Sequence, residues 1–288
     1  MIFAIVGPTA SNKSLLADKL AEYLKDSVVI NFDAYQIYIE MNKGTAKPDL
    51  DFLESHPNYK LFNFVHIDEP FDVSTYQEIG RKLLKENENK NIILVGGTGF
   101  YLKALLYDYK FIEEPQMDPN YLSNLSNEQL YERLYKLDQE DAIKITKNNR
   151  KRLIRALYVY DIHKKTKTEI NENGKNKLLY DVAFIGICPK REILYKNIDN
   201  RVDKMIENGL IEEVNQIKRD FPNKNQALEA IGYKEFFKGI SIDESIELIK
   251  KNTRHYAKRQ LTYFRHQFEN VIWFEDVESA FNYIRQKY

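Results

Sequence analysis

Residues 7–14 read Gly-Pro-Thr-Ala-Ser-Asn-Lys-Ser and match the pattern G-x-x-x-x-G-K-[ST] at every fixed position except Asn12. That spacing suits phosphate. Backbone N–H groups of the loop and of the following helix N-terminus point at phosphate oxygens. Lys13 adds a positive charge, and the Ser14 hydroxyl is of the type that reaches a magnesium ion. The plain alternative is a strand–helix turn. The usual glycine at position 12 permits positive φ and close approach to the ligand; asparagine tolerates the left-handed region better than most residues but brings a side chain. The expectation is a retained, weaker phosphate site at Gly7, Pro8, Thr9, Ala10, Ser11, Asn12, Lys13 and Ser14. A second group begins at Asp33, in Asp33-Ala34-Tyr35-Gln36-Ile37-Tyr38. A carboxylate there takes a proton or binds magnesium through water; it serves equally as a helix cap or turn residue. A third is Gly96-Gly97-Thr98-Gly99, whose glycines let backbone approach a ligand and whose Thr98 offers a hydroxyl.

These groups need strands to carry them to one place. Met1–Val6 and Asn91–Val95 are short apolar runs, and Val28–Phe32 is a third that stops at Asp33. Each reads as a buried parallel strand. An amphipathic helix follows the first through Leu24. Ser74, with Gln77 at capping-box spacing, predicts a helix to Lys85. Repeated strand–turn–helix units predict an α/β fold with a parallel sheet, and ligands of such sheets bind outside the carboxyl ends of the strands. Lys13, Asp33 and Thr98 are thus expected on one edge. The texture changes near Glu113. The chain from Asn127 to Lys165 is helical and charged, Asn171–Lys177 is a polar connection, and Val182–Cys188 returns to the sheet. The core is therefore expected at 1–112 and 179–288, with a helical insertion at 113–178. Val271–Phe274 is a further candidate strand.

The whole chain narrows the partners. It has 288 residues with 43 Lys+Arg against 43 Asp+Glu, so net charge gives no support to nucleic acid, and any such partner must meet local patches. The single cysteine, Cys188, cannot staple the fold, and no Cys/His run has metal-ligand spacing, which argues against a zinc finger. With no charged leader and no apolar run of membrane-spanning length, the expectation is a cytoplasmic protein without a membrane partner.

The ordered blocks GPTASNKS (7–14), DAYQIY (33–38), GTAKP (44–48), VGGTGFYLKALL (95–106), RKRLIRAL (150–157), RVDKMIENGLIEEV (201–214), AIGYKE (230–235) and TRHYAKRQLTYFR (253–265) resemble the bacterial tRNA dimethylallyltransferase family across nearly the whole chain. The resemblance implies an α/β core like that of P-loop NTPases with a helical insertion. It implies transfer of a dimethylallyl group from dimethylallyl diphosphate to N6 of the adenosine 3′-adjacent to the tRNA anticodon, with Mg²⁺ and release of pyrophosphate. Asp33 would be the general base. Lys13, the loop amides, Ser14 with Mg²⁺, Thr98 and Arg201 would stabilise the departing diphosphate. The anticodon loop would meet Asp33, Ala34, Tyr35 and Gln36. Its phosphates would meet two basic segments: Lys151, Arg152 and Arg155 beside Arg150 on the insertion, and Arg254, Lys258 and Arg259 with interleaved Tyr256, Tyr263 and Phe264. A solvated helix face is the plain reading of both segments. The chain is expected to act as a monomer.

The chain departs from the family pattern near the site, with Ala34 in place of Ser, Ile39 in place of Arg, and Leu61-Phe62 in place of a His-His pair. Two other readings stay open. One is a small-molecule kinase or an adenylate prenyltransferase on the same nucleotide-binding core, which would not need the basic segments. The other is a tRNA-binding paralogue with impaired catalysis. Retention of Lys13, Ser14, Asp33, Gln36, Thr98 and Arg201 favours an active enzyme.

Overall fold

The computed structural model describes residues 1–111, 115–172, 177–222 and 227–288. They form two compact units, one of residues 1–106 with 180–288 and one of residues 107–179.

In chain order the larger unit begins with β1 (Ile2–Val6), α1 (Lys13–Tyr23), β2 (Ser27–Asn31), α2 (Leu50–Ser55), β3 (Tyr59–Lys60), α3 (Val73–Glu86), β4 (Asn91–Val95) and α4 (Gly99–Leu106). The smaller unit supplies α5 (Asn127–Leu137), α6 (Gln139–Lys144), α7 (Arg150–His163) and α8 (Lys167–Glu172). The larger unit then resumes with β5 (Val182–Ile187), α9 (Arg191–Glu207), α10 (Leu210–Asp220), α11 (Ile242–Gln267), β6 (Ile272–Phe274) and α12 (Val277–Lys287). No described helix is long and apolar enough to cross a membrane.

The expected parallel sheet is present. Six strands run in the order β3-β2-β4-β1-β5-β6, all pairs parallel. Their side chains explain the continuous apolar runs: Phe3 and Ile5 of β1, Val29 of β2, Ile93 of β4 and Ile185 of β5 pack on one face with Leu16 and Leu20 of α1 and with Ala280 and Ile284 of α12. Full burial of each of these Phe, Val, Leu and Ile side chains contributes about 1.5–3 kcal/mol. The β5–β6 pairing has its own key. A side chain at Gly186 would lie 2.4 Å from the Trp273 ring, so glycine there lets Trp273 cover the strand.

Two expectations about elements need correction. Helix α3 starts before Ser74: Asp72 caps it by accepting from Thr75 N (2.9 Å), while Gln77 turns instead to the Ala104 carbonyl (2.7 Å). The short elements α2 and β3 were not expected, because six and two residues are too few to show a period.

The expected insertion, 113–178, falls within the smaller unit; its first residues, 113 and 114, and most of the polar connection 171–177 lie outside the described residues. Leu130, Leu134, Leu153, Ala156 and Leu157 form its own core. Ser126 and Gln129 close a full capping box on α5. Asp138 caps α6 and also accepts from the Thr168 amide (3.0 Å) and hydroxyl (2.6 Å), tying in α8. Tyr107 and Leu178, at the two ends of the unit, pair in an antiparallel bridge.

Candidate active site

Register brings the three groups together. Val95 pairs with both Ile5 and Asn31, so β1, β4 and β2 end level and their loops open on one edge. Phe32 N extends the match by donating to Val95 O (2.9 Å).

The loop after β1 is tightly specified. Gly7 has φ +148 and abuts β5, where a Cβ would sit 2.3 Å from the Ile187 carbonyl oxygen, so only glycine fits. Pro8 and Ser11 are buried, while Thr9 and Ala10 are half-buried. Ala10 and Asn12 both take left-handed backbone (φ 60 and 65). Asn12, exposed and with no side-chain cap hydrogen bond, thus adopts the conformation for which glycine is usual. Asn12→Ala should cost about 1 kcal/mol in chemical denaturation, since alanine resists that conformation. Asn12→Gly should keep stability and tighten pyrophosphate binding; an unchanged titration would show that asparagine costs the site nothing.

Lys13 opens α1 and is buried, its Nζ donating to the Pro8 carbonyl at 2.6 Å. Burial, and then the charge of Arg201, push its pKa down to about 7, with Asp33 pulling the other way. Ser14 is exposed beside it.

Asp33 follows β2. Its amide donates to Asn31 Oδ1 (2.9 Å) and its Oδ1 accepts from Tyr35 N (3.0 Å), so one carboxylate oxygen is held by the turn. The other, Oδ2, lies beside Gly97: a methyl group there would meet Asp33 Oδ2 at 2.8 Å and Gln260 Nε2 at 2.6 Å. Gly97→Ala should therefore displace both side chains and cost about 1–3 kcal/mol in chemical denaturation, as overpacking of a filled site does.

Arg201 comes from α9 and is half-buried, its Nη2 donating to Thr45 O at 3.0 Å. Burial lowers its pKa, and Asp33 opposes that shift. Gln36 donates to the same Thr45 carbonyl (3.2 Å). The 42–46 segment is held in turn by Glu213 of α10. That carboxylate accepts from the amides of Asn42 (3.0 Å), Lys43 (2.9 Å) and Gly44 (3.3 Å), and from Tyr233 Oη (2.7 Å). Beneath, Lys47 is buried with Nζ on the Tyr38 carbonyl and Asn63 Oδ1, and burial pushes its pKa down to about 8.

One cavity of about 70 Å³ is lined by Thr9, Lys13, Ser14, Asp33, Gln36, Phe62, Gly96, Gly97, Arg201, Tyr256 and Gln260. Lys13, Ser14 and Arg201 also line a larger open cleft of about 960 Å³. The predicted cations and the carboxylate thus share a space. Thr98 sits on the carboxylate's side: its Oγ1 accepts from Ala34 N (3.0 Å), so it fixes the segment carrying Asp33. Tyr35 is half-buried on that segment.

The basic segments divide. Lys151, Arg152 and Arg155 are exposed on α7. Arg150 is not a surface cation, since its guanidinium donates to the carbonyls of Leu122 (2.9 Å) and Leu125 (2.7 Å). On α11, Lys258 and Arg259 are exposed, Arg259 lying over the Tyr256 ring, whereas Arg254 is paired with Asp199 of α9. Tyr256 faces Gly97 and Thr98, inside the site.

Sequence reasoning did not find Gln260 or Glu213. A signal existed for the first. Ala257, Gln260 and Phe264 share the buried stripe of α11, and an uncharged amide on an apolar face marks a satisfied polar contact. No such signal marks Glu213 among the acidic residues of α10.

Comparisons with known proteins give the family. The family model described as "IPP transferase" matches residues 36–267. A tRNA dimethylallyltransferase of Malacoplasma penetrans is 40% identical over 273 residues, which is 93% of this chain and 90% of that protein. The crystal structure of the tRNA isopentenylpyrophosphate transferase of Bacillus halodurans superposes with a TM-score of 0.72 at 31% identity, covering 99% of this chain and 96% of that one. A eukaryotic dimethylallyltransferase solved acting on tRNA gives a TM-score of 0.80 at 27% identity over 96% of this chain and 73% of its own. The chain belongs to the IPP transferase family.

Proposed function

We propose that this chain moves a dimethylallyl group from dimethylallyl diphosphate to N6 of the adenosine 3′-adjacent to the tRNA anticodon. The observation that carries the reading is the single cavity shared by Lys13, Arg201 and Asp33. An adenine amine is a weak nucleophile, because its lone pair is delocalised into the ring. It attacks the allylic carbon, the carbon–oxygen bond breaks, pyrophosphate leaves, and the N6 proton passes to Asp33. Lys13, the loop amides and Arg201 meet the growing charge on the diphosphate. Mg²⁺ fits the donors present, since it keeps several waters and needs few protein oxygens beside substrate phosphates; the Ser14 hydroxyl would contribute, as the last position of such a phosphate loop does, and the ion would supply charge neutralisation.

The target base must leave the stacked anticodon loop to reach the cavity. Exposed Lys151, Arg152 and Arg155 on α7, with Lys258 and Arg259 on α11, are proposed to meet tRNA phosphates. Removing the charges of Arg152 and Arg155 together should weaken tRNA binding and lower the slope of log K against log salt by about 1–2. A salt dependence identical to the unaltered chain would remove α7 from the interface.

The direct test is incubation with dimethylallyl diphosphate, Mg²⁺ and unmodified tRNA, then nucleoside analysis. Appearance of N6-dimethylallyladenosine at the predicted position supports the reading. Binding of tRNA with no modified nucleoside would instead support the non-catalytic paralogue.

A further inference from the structure

Gln260 sits in the C-terminal third of α11, only 5% exposed, with its amide reaching two loops remote in sequence. Its Oε1 accepts from Thr9 N at 2.7 Å, and its Nε2 donates to Gly97 O at 2.8 Å. The amide has one workable orientation. Reversed, it would set N–H against N–H and oxygen against oxygen. It therefore ties the phosphate loop after β1 to the glycine turn after β4. Gly97 is also the residue whose missing side chain leaves room for Asp33 Oδ2.

From this geometry we infer that Gln260 is a positioning residue, holding the diphosphate seat and the carboxylate at a fixed separation; the inference rests on the prenyl-transfer reading above. It acts through Thr9 and Gly97. The Thr9 amide is already satisfied by Gln260, so the loop is formed before ligand arrives, and the leaving group sits further along it, toward Lys13 and Ser14. Preformed donors need no reordering when charge develops, which is what makes such a seat effective.

The competing account is that Gln260 only fastens α11 to the sheet. Pyrophosphate, titrated calorimetrically into the full chain without tRNA, separates the two. Gln260→Leu fills the space and removes both hydrogen bonds. It should weaken pyrophosphate binding by about tenfold or more, as expected when a buried donor and acceptor lose their partners. Gln260→Glu is the sharper variant. Ionised, its carboxylate still accepts from Thr9 but cannot donate to Gly97; protonated, it does both. Burial beside Asp33 raises the pKa of a carboxyl placed here. The ratio of variant to unaltered affinity removes the titration that the two proteins share; a carboxylate at 260 also acts on Lys13, Asp33, Arg201 and Tyr256, the other ionisable groups around this cavity, and Gln260→Leu, which adds no charge, is the control for direct repulsion of the anion. That ratio should be poor near pH 8 and recover toward unity near pH 6.

Transfer assays should show the same recovery, with kcat as well as KM affected. Pyrophosphate affinity within about twofold of the unaltered chain in Gln260→Leu would overturn the inference, as would a Gln260→Glu deficit equal at both pH values. Absence of prenyl transfer by the unaltered chain would sink the prenyl-transfer reading while leaving the pyrophosphate measurements intact, so the two failures are distinguishable.

Discussion

Asp33→Asn should lower prenyl transfer by about 10²–10⁴-fold while leaving tRNA and pyrophosphate binding near normal. The substitution keeps an oxygen for Tyr35 N, so the turn that presents residue 33 survives. What is lost is the acceptor beside Gly97, the oxygen free of that turn. Removal of the N6 proton then falls to water or to the departing pyrophosphate. Single-turnover measurement with bound tRNA reads the chemical step directly. Turnover within a few-fold of the unaltered chain would remove Asp33 from the mechanism. Asp33→Ala should show the same loss, with some added cost in stability from the missing turn contact.

Lys13→Met should give the larger loss in anion binding. Lys13 has its Nζ on the Pro8 carbonyl, and its pKa of about 7 leaves it largely neutral above that pH when no anion is present. A diphosphate beside it favours the charged form and raises that pKa. Binding above about pH 7 must therefore take up a proton. The sign follows: a site that takes up a proton binds more tightly as pH falls toward 7, and the lysine's share of the dependence flattens below it. Calorimetry at about pH 8 in buffers of different ionisation heat should detect this uptake. Lys13→Met should abolish it and weaken pyrophosphate binding by about 10²-fold, the scale of a lost charge-assisted contact with a buried anion. Equal proton uptake in the variant would assign the effect to another group.

The sequence made the frame of this site readable because its logic is local. A strand, a glycine turn and a helix within about 25 residues carry their own signals in composition and period, and parallel pairing brings their ends to one edge. Lys13, Asp33 and the Gly96-Gly97 turn were legible in that way. The contacts that set their spacing are not local. Gln260 meets Thr9 across 251 residues, and Glu213 meets Asn42 across 171. No window along the chain contains both members of either pair. Arg150 shows the converse error. Its sequence neighbours Lys151 and Arg152 face solvent, so the three read as one basic patch, yet Arg150 closes the loop before α5. Asp72 displaced Ser74 as the cap of α3 for a simpler reason: both residue types cap well, and tertiary placement chose between them.

The bridge between Tyr107 and Leu178 gives the smaller unit a single doorway. The chain departs and returns through adjacent residues, so the excursion is topologically a decorated hairpin loop. Its length and content are free to change in evolution without altering the order of a single core strand.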